Sequence, residues 1–177
     1  MKNKILSLLF IVVTAFSTTS CLEDEYLFDY DNMKPVIELP YLNHTQTLSY
    51  KEGATSVTSK LYVNYSIADW RNIDEDIPVT LEIDETLLGK NENLLPASAY
   101  NLSFPLTMTI KKASDIDPTD REKFNNQSAT EILNINLTDS NLESGKKYGL
   151  PIRITNVPAK YTISGNFNTM IFYVEIK

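Results

Sequence analysis

Few residues in this chain are equipped to do chemistry, and they are scattered. It holds one histidine, His44, and one cysteine, Cys21. A Ser-His-Asp or Cys-His mechanism needs an imidazole beside its nucleophile. That imidazole would have to be His44, which stands in Leu42-Asn-His-Thr45, the setting of a loop or edge-strand residue. One imidazole and one thiol also fall short of the usual zinc ligand sets. A glycoside hydrolase needs two carboxylates about 5–9.5 Å apart, one with a raised pKa. Asp74, Glu75, Asp76, Glu82 and Asp84 supply acids, but no spacing singles out a pair. Asp115-Ile-Asp-Pro-Thr-Asp120 spaces its carboxylates somewhat as a calcium loop does. Pro118 and the missing glycine and distal glutamate depart from the EF-hand pattern, so a solvated loop is the plainer reading. The expectation is a protein without catalytic residues, resident metal or cofactor.

Binding is the better use of what remains. Trp70 lies in Ile67-Ala-Asp-Trp-Arg-Asn72, directly after the most regular strand pattern in the chain. An indole face stacks on the C–H face of a sugar ring, and nearby polar groups can address hydroxyls. Asp69, Trp70, Arg71 and Asn72 therefore form a candidate glycan-contact patch. The alternative is a tryptophan that plugs the end of the fold or its interior.

Cys21 has a different role. Lys2 and Lys4 precede the apolar run Ile5–Val13, and Thr14–Ser20 are small or hydroxylated apart from Phe16. That is the layout of a secretory leader too short to span a bilayer. A lone thiol in an oxidising compartment is a liability unless it is used. Thr19-Ser-Cys21 reads as a lipobox, although Thr18 stands where leucine is preferred. Residues 1–20 are then a cleaved leader and 21–34 a lipidated acidic tether. The acyl chains on Cys21, at about 0.8 kcal/mol per buried CH2, would hold the protein on a membrane. Glu23, Asp24 and Glu25 match the acidic signal that directs such lipoproteins to the outer face of the outer membrane. The plainer reading of that run is solvated charge.

The chain has 177 residues and carries 16 basic against 23 acidic groups, net −7. Loss of Lys2 and Lys4 with the leader deepens the imbalance. Nucleic acid, which needs clustered Lys and Arg, is excluded as a partner, and so is electrostatic docking on anionic lipid. A neutral polysaccharide or a protein of a surface complex remains compatible. The mature length of about 157 residues suits one domain able to bury roughly two thirds of its unfolded surface.

Alternation at period two supplies the positioning elements. Val57, Leu61, Val63 and Tyr65 share one face, and Ile77, Val79, Leu81 and Ile83 repeat the pattern. Leu106–Ile110, Leu133–Leu137, Tyr148–Ile154 and Met170–Ile176 follow, with Pro35–Leu42 as an opening strand. Lys111–Thr130 is the one long connection, and Pro118–Phe124 within it has the makings of a short helix. About seven strands predict an all-β, antiparallel Greek-key β-sandwich over residues 35–177, close to the immunoglobulin and fibronectin architectures. Gly145-Lys-Lys-Tyr148 is the setting of a tyrosine corner, which makes Tyr148 a fold-fixing residue.

Two segments carry a family likeness. Leu94-Leu-Pro-Ala-Ser-Ala-Tyr-Asn-Leu-Ser103 and Gly145-Lys-Lys-Tyr-Gly-Leu-Pro-Ile-Arg-Ile154 together resemble domain of unknown function 1735. That domain is a β-sandwich in Bacteroidetes-type surface lipoproteins, commonly at the N-terminus and encoded with polysaccharide-utilisation machinery. The resemblance implies a surface lipoprotein that assists glycan capture or assembly of an uptake complex. A structural or protein-interaction module of a surface or pilus-like assembly is the alternative. The chain stops after this one domain, so no catalytic residue is carried across.

Overall fold

In a computed structural model of the chain, the described residues are 34–41, 43–66, 73–116 and 128–177. Lys34–Lys177 forms one compact unit. The alternating segments become strands because one side of each can be buried while the other meets water. In order they are β1 (Val36–Glu38), β2 (Thr45–Thr47), β3 (Ser56–Ser66), β4 (Ile77–Ile83) and β5 (Asn93–Leu94). After these come β6 (Leu106–Ile110), β7 (Ser128–Asn136), β8 (Lys147–Asn156), β9 (Thr162–Ile163) and β10 (Thr169–Glu175).

They form an all-β sandwich. One sheet has the order β7-β3-β1-β9, and the other β2-β10-β8-β4-β6, with β5 beside the start of β8. Strand neighbours are mostly non-consecutive, as Greek-key crossings between the sheets require. The sequence reading needs two corrections. Among the described residues there are ten strands, the extra ones being β2, β5 and β9, which are two or three residues long and too polar or too short to alternate. The sheets are also mixed, since β1–β9, β2–β10 and β5–β8 run parallel. Periodicity reports which face is buried and is silent on the direction of a partner. The opening strand shrinks to Val36–Glu38, and Pro40 has no N–H to continue it. Pro118–Phe124 lies outside the described residues.

The core is the space between the sheets. Ile37, Leu61, Leu81, Leu133, Leu150 and Phe172 have no exposed surface. Each such side chain contributes about 1.5–3 kcal/mol by leaving water. Along β3 the order is followed closely: Val57, Leu61, Val63 and Tyr65 are buried, while Thr58 and Lys60 are exposed. β10 differs, because five successive residues from Met170 to Val174 are buried. Met170, Phe172 and Val174 join the core, whereas Ile171 and Tyr173 face outward under a second cover.

That cover is the segment between β4 and β6. Asp84 N–H donates to the Pro151 carbonyl at 3.1 Å, and Arg153 pairs with Asp84 at 2.5 Å. Tyr173 donates its hydroxyl to Glu92 at 2.9 Å, and Asn93 Nδ2 donates to the Lys147 carbonyl at 3.0 Å. Leu88 lies directly over Gly149.

The two segments that carry the family likeness meet in space. Asn93 and Leu94 pair with Tyr148 and Gly149. The chain then turns through Ala97–Ala99 and reaches the other sheet, where Tyr100 bridges Ile135. The first segment therefore ties the two sheets together at one end. At the same end Tyr148, 5% exposed, accepts the Glu143 N–H at 3.0 Å, the corner expected of it. Gly145 makes the preceding turn at φ +80°, a backbone region that glycine adopts without steric cost.

Candidate functional site

Among the described residues, those singled out for chemistry do not gather into one cluster. Cys21, Glu23, Asp24 and Glu25 lie outside the described residues, as does the patch of Asp69, Trp70, Arg71 and Asn72. Of the possible calcium loop only Asp115 and Ile116 are described, and Asp115 pairs with Lys112 at 3.7 Å. Among the described residues no three of His, Cys, Asp and Glu converge to hold a metal ion. No helix among them is long and apolar enough to cross a membrane. His44 precedes edge strand β2 with φ 54° and stacks on Phe167, ring centres 5.4 Å apart. It serves the backbone as well, its carbonyl accepting the Ile171 N–H at 2.9 Å.

Four of the candidate acids, Asp74, Glu75, Asp76 and Asp84, are held by cations. Lys160 Nζ bridges Glu75 at 2.9 Å and Asp74 at 3.3 Å, and Tyr161 donates to Glu75 at 3.0 Å. Lys111 pairs with Asp76 at 2.7 Å. Lys160, and then Tyr161, hold the Glu75 carboxyl below the usual carboxylate range. Burial, and then the bond to Glu75, push the Tyr161 phenol up to about 12. Asp76 is lowered by Lys111, and Asp84 by Thr86 and then Arg153. An acid catalyst needs its carboxyl shifted upward, the opposite direction.

A pH dependence follows from these signs. Glu75, Asp76 and Asp84 have folded-state pKa values below their unfolded ones, as do Glu92 and Asp139. Their contribution to stability is present above the unfolded carboxylate values of about 4 and is lost as pH falls through the lower folded values. The melting temperature should hold steady from neutral pH to about pH 5 and fall below about pH 4. Calorimetric melts across that range check this, and a melting point that rises on acidification would contradict it.

The strongest candidate for recognition lies where the first family segment crosses to β7. Thr55, Ser56, Tyr100, Asn134, Asn136 and Thr138 line a shallow groove of about 480 Å3. Its lining is uncharged. Asn134 and Asn136 are outward positions of β7, set in place by the inward Leu133 and Ile135. Thr58 donates to Asn134 Oδ1 at 2.6 Å, and Thr138 N–H and hydroxyl donate to Asn136 Oδ1 at 3.0 and 2.8 Å. Both amides are thus oriented through their oxygens, and their NH2 groups are the ends left to donate. Tyr100 packs edge-on to Phe104, ring centres 6.2 Å apart, and burial alone raises its phenol pKa.

Asn101 fixes this wall. Its Oδ1 accepts the Asn134 N–H at 2.7 Å and its Nδ2 donates to the Ile132 carbonyl at 2.9 Å. One side-chain amide thereby stands in for a neighbouring strand along the edge of β7. The sequence does contain a signal for this groove, because Asn134 and Asn136 are polar positions of the β7 alternation and Thr138 continues it just past the strand. The alternation shows that these residues face out, and nothing in it shows that Tyr100 comes to lie beside them.

A family model for an N-terminal domain matches residues 30–160. No protein of curated function matches the sequence. Among solved structures, the fold is similar to that of a two-domain Bacteroides fragilis protein of unknown function, with TM-score 0.55 and 13% identity over 85% of this chain and 48% of that one. It is also similar to a Bacteroides ovatus protein described as a candidate carbohydrate-binding protein, with TM-score 0.54 and 18% identity over 80% of this chain and 37% of that one. A multidomain Bacteroides ovatus protein that includes domain of unknown function 1735 aligns at TM-score 0.46 and 18% identity, over 80% of this chain and 45% of that one. The chain thus spans less than half the length of each.

Proposed function

Because the chain belongs to the family of N-terminal domains whose model it matches over residues 30–160, we propose that it is a non-catalytic, glycan-binding surface lipoprotein, of the kind that its resemblance to domain of unknown function 1735 implies. In this reading Cys21 carries the lipid, Glu23-Asp-Glu25 directs export to the outer face of the outer membrane, and the sandwich captures polysaccharide for an uptake complex. The single observation that carries the glycan assignment is the uncharged groove with two oriented amides beside a half-buried tyrosine ring. Sugar hydroxyls are weak donors and acceptors that pair well with fixed amides, and the C–H face of a pyranose suits an aromatic wall. The acidic surface disfavours polyanions and leaves neutral glycans unaffected. A similar fold in the candidate carbohydrate-binding protein of Bacteroides ovatus fits the same picture.

Docking of a protein strand on a sheet edge is the competing reading. It needs a long bare edge, and Asn101 occupies the edge of β7 at Ile132 and Asn134. The other outermost strands, β2, β6 and β9, are only two to five residues long.

The test is affinity electrophoresis of the detergent-solubilised full chain in gels containing neutral polysaccharides such as mannan, xylan or a mixed-linkage glucan. Asn134→Asp and Asn136→Asp keep the oxygen that accepts from Thr58 or Thr138 and remove the NH2 donors. Each should weaken binding about tenfold, roughly 1.4 kcal/mol. Equal retardation of both variants and wild type would remove the groove from consideration. Co-purification of a protein partner without glycan binding would favour the assembly reading.

A further inference from the structure

The groove does not end at its hydroxyl rim. Thr55 and Thr138 also line a second groove of about 600 Å3, whose walls include Tyr50, Gly53 and Leu137. Leu137 N–H donates to the Thr55 carbonyl at 2.9 Å, so the saddle between the grooves prolongs the β3–β7 ladder and is no loose loop. Each groove has one tyrosine held by its own contacts. The Tyr50 hydroxyl donates to the Glu175 carbonyl at 2.6 Å and accepts the Lys177 N–H at 3.0 Å. Tyr100 is set by Phe104. At the saddle the Thr138 hydroxyl spends its proton on Asn136, which leaves its lone pairs to accept from an incoming hydroxyl. Glu52 and Lys177 both border the second groove, so neither sign of charge dominates it.

We infer that the two grooves are successive subsites of one cleft, and that its ligand is a linear neutral oligosaccharide of at least three units laid across Thr55 and Thr138. The inference rests on the glycan-binding reading above and adds length as the recognised feature. Each groove falls in the roughly 300–1,000 Å3 range that encloses a drug-sized ligand, more than one sugar ring needs. A monosaccharide meets the full cost of immobilisation with few contacts, whereas each further unit of a chain adds contacts at less cost.

The experiment is titration calorimetry of the detergent-solubilised full chain with manno-, xylo-, cello- and laminari-oligosaccharides of one to six units. In a ladder that binds, the association constant should rise at least tenfold from one unit to four and then level off. Thr138→Arg and Thr55→Arg, both at exposed positions, fill the saddle. Each should lower tetrasaccharide affinity at least tenfold, whereas Asn134→Asp should weaken short and long members alike. Circular dichroism confirms that the variants are folded. Affinity independent of length, or a tetrasaccharide indifferent to both arginines, overturns the shared cleft and leaves the single groove standing. Binding of no member of any ladder overturns both.

Discussion

Replacing Cys21 with alanine should move the protein from the membrane fraction to the soluble fraction almost completely. This prediction rests on the proposed lipid anchor. Among the described residues no helix is long and apolar enough to span, and the apolar run of the leader is too short. The net charge of −7 repels anionic headgroups. In the lipoprotein reading proposed above, the hold is acyl chains, whose burial at about 0.8 kcal/mol per CH2 makes multiple acylation effectively permanent. Fractionation followed by immunoblotting of wild type and C21A measures the change. Equal retention of the two would sink the lipoprotein proposal. In a chain that keeps Cys21, replacing Glu23, Asp24 and Glu25 with alanine should leave fractionation unchanged and abolish labelling of intact cells, which separates the anchor from the export signal.

Gly149→Ala should cost about 1–3 kcal/mol, the range for overpacking a well-filled site. The position looks harmless in sequence, since β-strands tolerate alanine better than glycine. In the structure, however, a Cβ there would lie 2.7 Å from Leu88 Cδ2, 3.0 Å from Tyr173 Cε1 and 3.2 Å from Ile171 Cγ2. Leu88 is the end of a flexible side chain and can move. Tyr173 cannot move freely, because Glu92 holds its hydroxyl and Lys147 sits 3.6 Å over its ring. The penalty therefore falls on the contact between the covering segment and the sheet. For a domain of this size, each 1 kcal/mol lowers the melting temperature by about 3–4 °C. Leu88→Ala in the same chain should recover part of the loss, so the double-mutant cycle should show coupling of about 0.5–2 kcal/mol. An additive cycle would mean that Leu88 does not bear the clash.

The long strands were legible because burial imposes a period on them. β3 shows the period over eleven residues, and no other arrangement of those side chains would place Leu61 and Val63 together. Tyr148 was legible for a similar reason, since a glycine turn followed by a strand-initiating tyrosine is a local geometry. What stayed hidden has no local signature. β2 is Thr-Gln-Thr, entirely exposed, and becomes a strand only because Ile171–Tyr173 lies beside it. β10 reads as an alternating strand with one face out, yet both of its faces are covered. Its second cover comes from residues far off in the chain. The groove is of the same kind. Asn134 and Tyr100 belong to segments over thirty residues apart, and the neighbourhood exists only once Asn101 has closed the edge of β7.

β10 is the last strand in the sequence and lies second from the edge of its sheet, flanked by β2 and β8. Among the described residues β8 is also paired with β4 and β5, whereas β2 has β10 as its one neighbour, so its pairing joins Thr45 to Ile171 across most of the chain. Until Thr169–Glu175 emerge, β2 has no partner and the outward face of Gly149 has no Tyr173 beside it. Pairings of long sequence separation form slowly even in a complete chain, because loop closure must be met first.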